Sequence, residues 1–110
     1  DAFATFADHW DPRLAARYNG NEVRLSKLDV DFHWHAHPDT DELFLVIEGE
    51  LEIEFRERTV SLTQGELIVV PRGTEHCPRA RHGEVKVLVM DADGTPNTGD
   101  AATAFAPIEV

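Results

Sequence analysis

The amino-acid sequence predicts an all-β fold, a small barrel or sandwich of short strands. Three observations carry that prediction. About nine apolar and β-branched segments are separated by turn signals at roughly eight- to twelve-residue spacing. Period-two alternation is plain where Leu51, Ile53 and Phe55 interleave with Glu52 and Glu54. The third is length: 110 residues make one domain with one core, and a barrel of that size encloses a single side-chain-lined cavity.

Phe3, Phe6 and Trp10 fall at helical spacing before Pro12, which predicts a short helix or flap over residues 3–10. Residues 13–18 lead into Asn19-Gly20, a dipeptide suited to the positive backbone angles of a tight turn, and residues 22–28 return as the second strand of a hairpin. Strands are then expected at 32–37, 43–48 and 51–56, with Gly49 turning between the last two. Residues 59–62, 67–70, 75–80 and 84–90 complete the set, punctuated by Gly65, by Pro71-Arg72-Gly73 and by His82-Gly83. Nothing after residue 11 reads as helical. The barrel is expected over about residues 13–91, with a bend at Asp29-Val30-Asp31, and 92–110 as an irregular Ala-rich tail.

Ten Lys and Arg against 21 Asp and Glu give a net charge of -11, a field that repels phosphate backbones and anionic lipid surfaces. Nucleic acid and membrane are therefore not expected as partners. No apolar run approaches the roughly 20 residues of a bilayer span, and the first residues carry no basic region followed by an apolar one, so a soluble cytoplasmic protein is the expectation. The single cysteine, Cys77, makes no internal disulfide, and stability must come from packing, a partner subunit or a metal.

Three of the six histidines, His33, His35 and His37, alternate within one extended segment, and period two points all three at one face. Clustered imidazoles are costly to bury without partners, whereas a divalent metal binds neutral imidazole strongly. Glu42 follows His37 by five residues, across a turn able to bring its carboxylate back, and barrel closure can place the distant His76 opposite.

These residues resemble both sequence motifs of the cupin superfamily. His35-x-His37-x4-Glu42-x6-Gly49 is similar to the first motif and Gly65-x5-Pro71-x-Gly73-x2-His76 to the second. The 15 residues between Gly49 and Gly65 match the short spacing of small single-domain cupins. Asp29 stands where the first motif often has glycine, and Ala80 where the second often has asparagine; neither is a usual metal ligand. The resemblance implies one cupin domain over residues 1–110, a double-stranded β-helix or jelly-roll barrel in which His35, His37, Glu42 and His76 hold one divalent transition metal per chain with open positions for water or substrate. Imidazole with a single carboxylate suits Fe, Mn, Ni, Zn or Cu better than Mg or Ca.

Around that site, Phe44 and Val46 share parity with Glu42 and are expected to line the cavity, and His33 is either a further pocket residue or a buried histidine bonded to backbone. Lys27 is read as a solvated lysine, Cys77 and Trp34 as packing on the face opposite the ligand histidines, and Arg79 as a possible guard at the barrel mouth. The expected function is that of a small metalloenzyme of dioxygenase, isomerase, decarboxylase or lyase type, acting on a small oxygenated organic molecule. The alternatives are a non-catalytic barrel that captures a small ligand or metal, and a structural subunit. A homodimer is expected, through an apolar sheet face or the aromatic N-terminal flap.

Overall fold

A computed structural model describes residues 2–10 and 12–95 and the backbone of residues 108–109. Among these, the hydrophobic alternation becomes eight strands: β1 (Arg13–Tyr18), β2 (Asn21–Asp31), β3 (Glu42–Glu48), β4 (Leu51–Phe55), β5 (Thr59–Leu62), β6 (Leu67–Val70), β7 (His76–Ala92) and β8 (Ile108–Glu109). No helix among the described residues is long and apolar enough to cross a membrane.

The organising element is β7, 17 residues long. Along one edge it pairs antiparallel with nearly all of β2, from Asn21↔Ala92 to Asp31↔Arg79. Along the other edge its first half pairs with β4 and its second half with β3, so it belongs to both walls of the barrel. β5 extends the β4 side, β6 the β3 side, and β1 the outer edge of β2. The inward residues of these strands, including Leu28, Phe44, Val46, Leu51, Ile53, Phe55, Val85 and Val87, form one buried core.

The expected bend between residues 29 and 31 is present. The β2–β7 register shifts between Leu28 and Val30, and Val30 takes a left-handed φ of 61°, which a β-branched residue rarely adopts. Across from Asp29, Gly83 (φ 105°) lies inside a bulge of residues 81–84 rather than a hairpin, so the two strands expected at 75–80 and 84–90 are one strand bent at its middle. The expected strand at 32–37 is absent. After the left-handed turn at Val30 the chain crosses the barrel mouth and keeps only an isolated bridge, His35↔His76.

The N-terminal segment is a 3-10 turn over Ala2–Thr5 followed by extended chain, not a helix to residue 10. Phe3 and Phe6 are buried against Leu25 and the half-buried Leu88 on the outside of the β2–β7 pair. Trp10 (φ 60°) instead folds over the mouth, where its indole N–H donates to the Asp29 carbonyl at 2.6 Å and its ring stacks on Phe32 at 4.8 Å. These aromatics are therefore covered within one chain, and exchange of the flap between subunits is not needed to bury them. Of the expected tail, residues 96–107 and 110 lie outside the described residues, whereas Ile108–Glu109 pair in parallel with Arg13–Leu14.

Gly49 makes the β3–β4 turn at φ 100°, and a Cβ there would stand 2.9 Å from the Glu84 carbonyl oxygen and 3.2 Å from Val85 Cα. Both obstacles are backbone. G49A is expected to destabilise by about 1–3 kcal/mol from backbone strain plus the clash, whereas G65A, with open space at φ 85°, meets only the left-handed penalty of about 1 kcal/mol. Urea denaturation midpoints of the two variants check the ordering.

Candidate metal centre

The second motif sets the geometry of the site. Gly73 N–H donates to the His37 carbonyl at 2.8 Å, and His35 and His76 exchange backbone hydrogen bonds of 3.0 and 2.9 Å. Asp41 accepts from the Arg72 backbone N–H at 2.9 Å, and Thr40 Oγ1 accepts from Ala92 N–H at 3.1 Å. The loop between His37 and Glu42 is thus pinned both to the Pro71-Arg72-Gly73 turn and to the end of β7. Period two then aims Glu42 inward at the start of β3 and His76 inward at the start of β7.

The result is four donor atoms, one each from His35, His37, Glu42 and His76, all within 4.8 Å of one another. Ligand bonds of about 2.1 Å put opposite ligands on one ion about 4 Å apart, so the cluster is within reach of a shared cation. Glu42 Oε1 lies 3.1 Å from His76 Nε2, and Glu42 Oε2 lies 3.2 Å from His37 Nε2. Glu42, His37 and His76 are buried; His35 is partly so.

Tautomers follow from the hydrogen bonds behind the rings. The His76 Nδ1–H donates to the Thr74 carbonyl and the His35 Nδ1–H to the His33 carbonyl, each at 2.9 Å. In His35 this bond leaves Nε2 as the bare acceptor that metal-bound imidazoles use, whereas His76 Nε2 faces Glu42 Oε1 at 3.1 Å, a contact between two acceptors that a cation shared by both would reconcile. In His37 both ring nitrogens are buried without an aligned hydrogen-bond partner. A buried orphan of that kind calls for an explanation, and a shared cation supplies one. The residues fit a divalent transition metal.

The ionisable groups split accordingly. Burial pushes His35 down to about 4, so that it stays neutral. For His37, burial pulls the same way, but the adjoining Glu42 carboxylate outweighs it and raises the imidazole above its usual 6.5. Burial alone would raise Glu42, yet contacts with His37 and His76 hold it well below the ordinary carboxylate range.

Other expected residues fall into different places. Phe44 lines the cavity beside the cluster, together with Trp10, Phe32, His35 and Glu42. Val46 sits deeper, fully buried in the core, rather than on the cavity wall. His33 is exposed, its ring 4.1 Å from that of Phe32 and 5.3 Å from that of His35, because residues 32–37 do not keep strand geometry and the three histidines do not share one face. Lys27 is not a free surface lysine: its ammonium donates to the Phe6 carbonyl and lies over the Phe6 ring. Arg79 does not guard the mouth. It points to the outer face, between Asp31 at 2.9 Å and Glu54 at 3.0 Å. Trp34 is covered by the Arg56 guanidinium at 3.8 Å, and Cys77 is buried with its thiol toward the Phe32 carbonyl.

Arg24 and Asp91 are the inward-facing residues that sequence patterning misses. Arg24 is 2% exposed and Asp91 1% exposed, and they form an ion pair inside the barrel. Burial pushes Asp91 up to about 7 against the opposing charge of Arg24, and Glu42 adds to the rise. The available signal was parity: Glu22, Arg24, Ser26 and Leu28 alternate on one face of β2, and Leu28 belongs to the core.

Comparison with known proteins agrees with this architecture. Residues 19–92 match the family described as "Cupin domain". The chain is 43% identical over 72 residues to the uncharacterized protein YdbB of Bacillus subtilis, covering 64% of each chain. It is 37% identical over 79 residues to germin-like protein 1-1 of rice (Oryza sativa subsp. japonica), covering 66% of this chain and 37% of that protein. The chain thus spans less than two thirds of the length of either curated relative. Among solved structures, a cupin-2 domain containing protein from Shewanella frigidimarina superposes with a TM-score of 0.80 at 42% identity, covering 83% of this chain and 88% of that one.

The depressed His35 has a consequence for stability in the metal-free protein. An unfolded imidazole titrates near 6.5 and folded His35 at about 4. Between those values the unfolded chain binds more protons, so this contribution is fully present above pH 6.5 and is lost as pH falls toward 4. In chelator, wild type is expected to lose more stability between pH 7.5 and 4.5 than H35Q, which lacks the group. Thermal melts at the two pH values test this; equal losses would contradict a neutral His35.

Proposed function

This chain belongs to the cupin family, and from that premise we propose that it is a metal-binding cupin acting as a small metalloenzyme on a small oxygenated organic molecule. The ligands in this reading are His35, His37, Glu42 and His76, holding one divalent transition metal. The observation that carries it is the convergence of four donor atoms, from His35, His37, Glu42 and His76, within 4.8 Å of one another, two of the imidazoles being fixed from behind by backbone carbonyls. Such a metal polarises a bound carbonyl or hydroxyl oxygen or lowers the pKa of bound water. Around it, the chain's own residues do the rest. Glu42 brings one negative charge to the centre, the Thr74 and His33 carbonyls hold two rings in place, and Trp10, Phe32 and Phe44 give the cavity apolar walls that favour a partly hydrophobic ligand and exclude water.

Elemental analysis of protein purified without affinity-tag nickel is expected to find about one transition-metal ion per chain, and H37A/H76A to abolish it. Full occupancy in the double variant would overturn the ligand set. A monomer-to-dimer measurement addresses the partner expected for the barrel. Ile47, Leu67 and Val69 leave 38%, 56% and 47% of their surfaces exposed; the β3–β6 register places Leu67 and Val69 on the outer face, and the burial alternation of β3 adds Ile47. In the proposed homodimer two such faces meet. Sedimentation is expected to give twice the 12.3 kDa chain mass at micromolar concentration, and L67E/V69E to return a monomer.

A further inference from the structure

We propose that the cavity takes a small carboxylic acid, anchored by its carboxylate on the Arg24 guanidinium while a second oxygen of the same molecule faces the His35, His37, Glu42 and His76 cluster. The inference rests on the reading of that cluster as a metal centre, and it adds a specificity-determining residue and a ligand class. Arg24 lines the same cavity as His35, Glu42, Phe44 and Trp10. Its guanidinium carries five donors, yet its contact with Asp91 runs through one nitrogen, Nη2, to one oxygen, Oδ1. Nε of Arg24 and Oδ2 of Asp91 are both buried without a partner. A purely structural pair would be expected to close as a two-point fork, because burying an arginine is costly unless its donors are satisfied. Here donor capacity is left over on a buried guanidinium whose residue lines the cavity, an arrangement that a small reorientation turns toward a planar oxyanion.

Charge points the same way. A divalent cation on the cluster, with Glu42 and Arg24, leaves the interior positive in either protonation state of Asp91, which suits an anion. Glu22, the next inward acid along β2, faces Arg17 at 4.0 Å. Size narrows the class further. The cavity holds about 50 Å³, room for about four water-sized groups. That small volume favours the shortest 2-oxo and 2-hydroxy acids, with the ligand oxygen that faces the cluster occupying part of the metal's own coordination space.

Isothermal titration of the metal-loaded protein tests this with pyruvate, and with hydroxyacetone as the analogue that keeps the ketone and lacks the carboxylate. Wild type is expected to prefer pyruvate. R24K, which keeps the charge and loses the fork, and R24M/D91L, which removes the pair without stranding a buried charge, are each expected to weaken pyruvate about tenfold to a hundredfold and to leave hydroxyacetone unchanged. Thermal melting checks that each variant is folded, and R24K carries the test where the double variant is not. Elemental analysis of the same samples separates the two readings. Metal present with pyruvate binding indifferent to Arg24 overturns the inference and leaves the metal centre standing. Metal absent with pyruvate binding still dependent on Arg24 overturns the metal centre and leaves the anchor.

Discussion

The hydrogen-bonded ladder between β2 and β7 is the constraint on which everything else in this barrel depends. It runs from Asn21↔Ala92 to Asp31↔Arg79 with one shift at the bend, and the two halves of β7 then offer their other edge to β4 and to β3. Register therefore decides chemistry. His76, Val85, Val87, Val89 and Asp91 point inward together, and a slip of one residue would turn the whole set to solvent. Because the bulge at 81–84 absorbs the extra residues, the inward parity holds on both sides of the bend. One strand thus supplies a histidine to the cluster at one end and an acid to the Arg24 pair at the other.

The interior so defined is unusually charged for a small core. Arg24, Asp91, Glu42, His37 and His76 are all buried. Taken singly, each would be costly to remove from water. Together they form a connected arrangement in which Glu42 meets two imidazoles and Asp91 meets a guanidinium. Apolar residues of similar volume would serve stability as well or better. What the polar set supplies is a fixed constellation of donors and acceptors around a cavity, with hydrophobic residues such as Val46, Leu51 and Ile53 providing the packing beneath it.

Local spacing carried much of this architecture openly. Asn19 and Gly20 both take positive φ at the β1–β2 turn, as that dipeptide requires, and the alternation of Leu51, Ile53 and Phe55 against two glutamates is the inward and outward pattern of β4. His35, His37, Glu42 and His76 were readable from the spacing of the two motifs, whereas the parity that put His33 on the same face did not hold. Two features were not readable. Residues 32–37 alternate like a strand, but alternation says nothing about whether a neighbouring strand is there to pair, and only a single bridge forms. In β2, Val23 and Leu25 alternate with Glu22, Arg24 and Ser26, and pattern alone favours the apolar face as the interior. The polar face is inside because Phe3 and Phe6, distant in sequence, cover Leu25 from outside.

Cys77 has a consequence of a different kind. It lies in the β4–β7 ladder, opposite Glu54, at 1% exposure, and burial pushes its thiol above the usual range. A thiol held neutral and out of reach is inert to alkylating agents for as long as that ladder is closed. The chain therefore contains its own clock for the opening of the seam that carries His76. Because this is the lone cysteine in the sequence, the rate at which a thiol reagent reacts reports that single event without engineered labels, and occupancy of the neighbouring centre is registered as a slowing of the same rate.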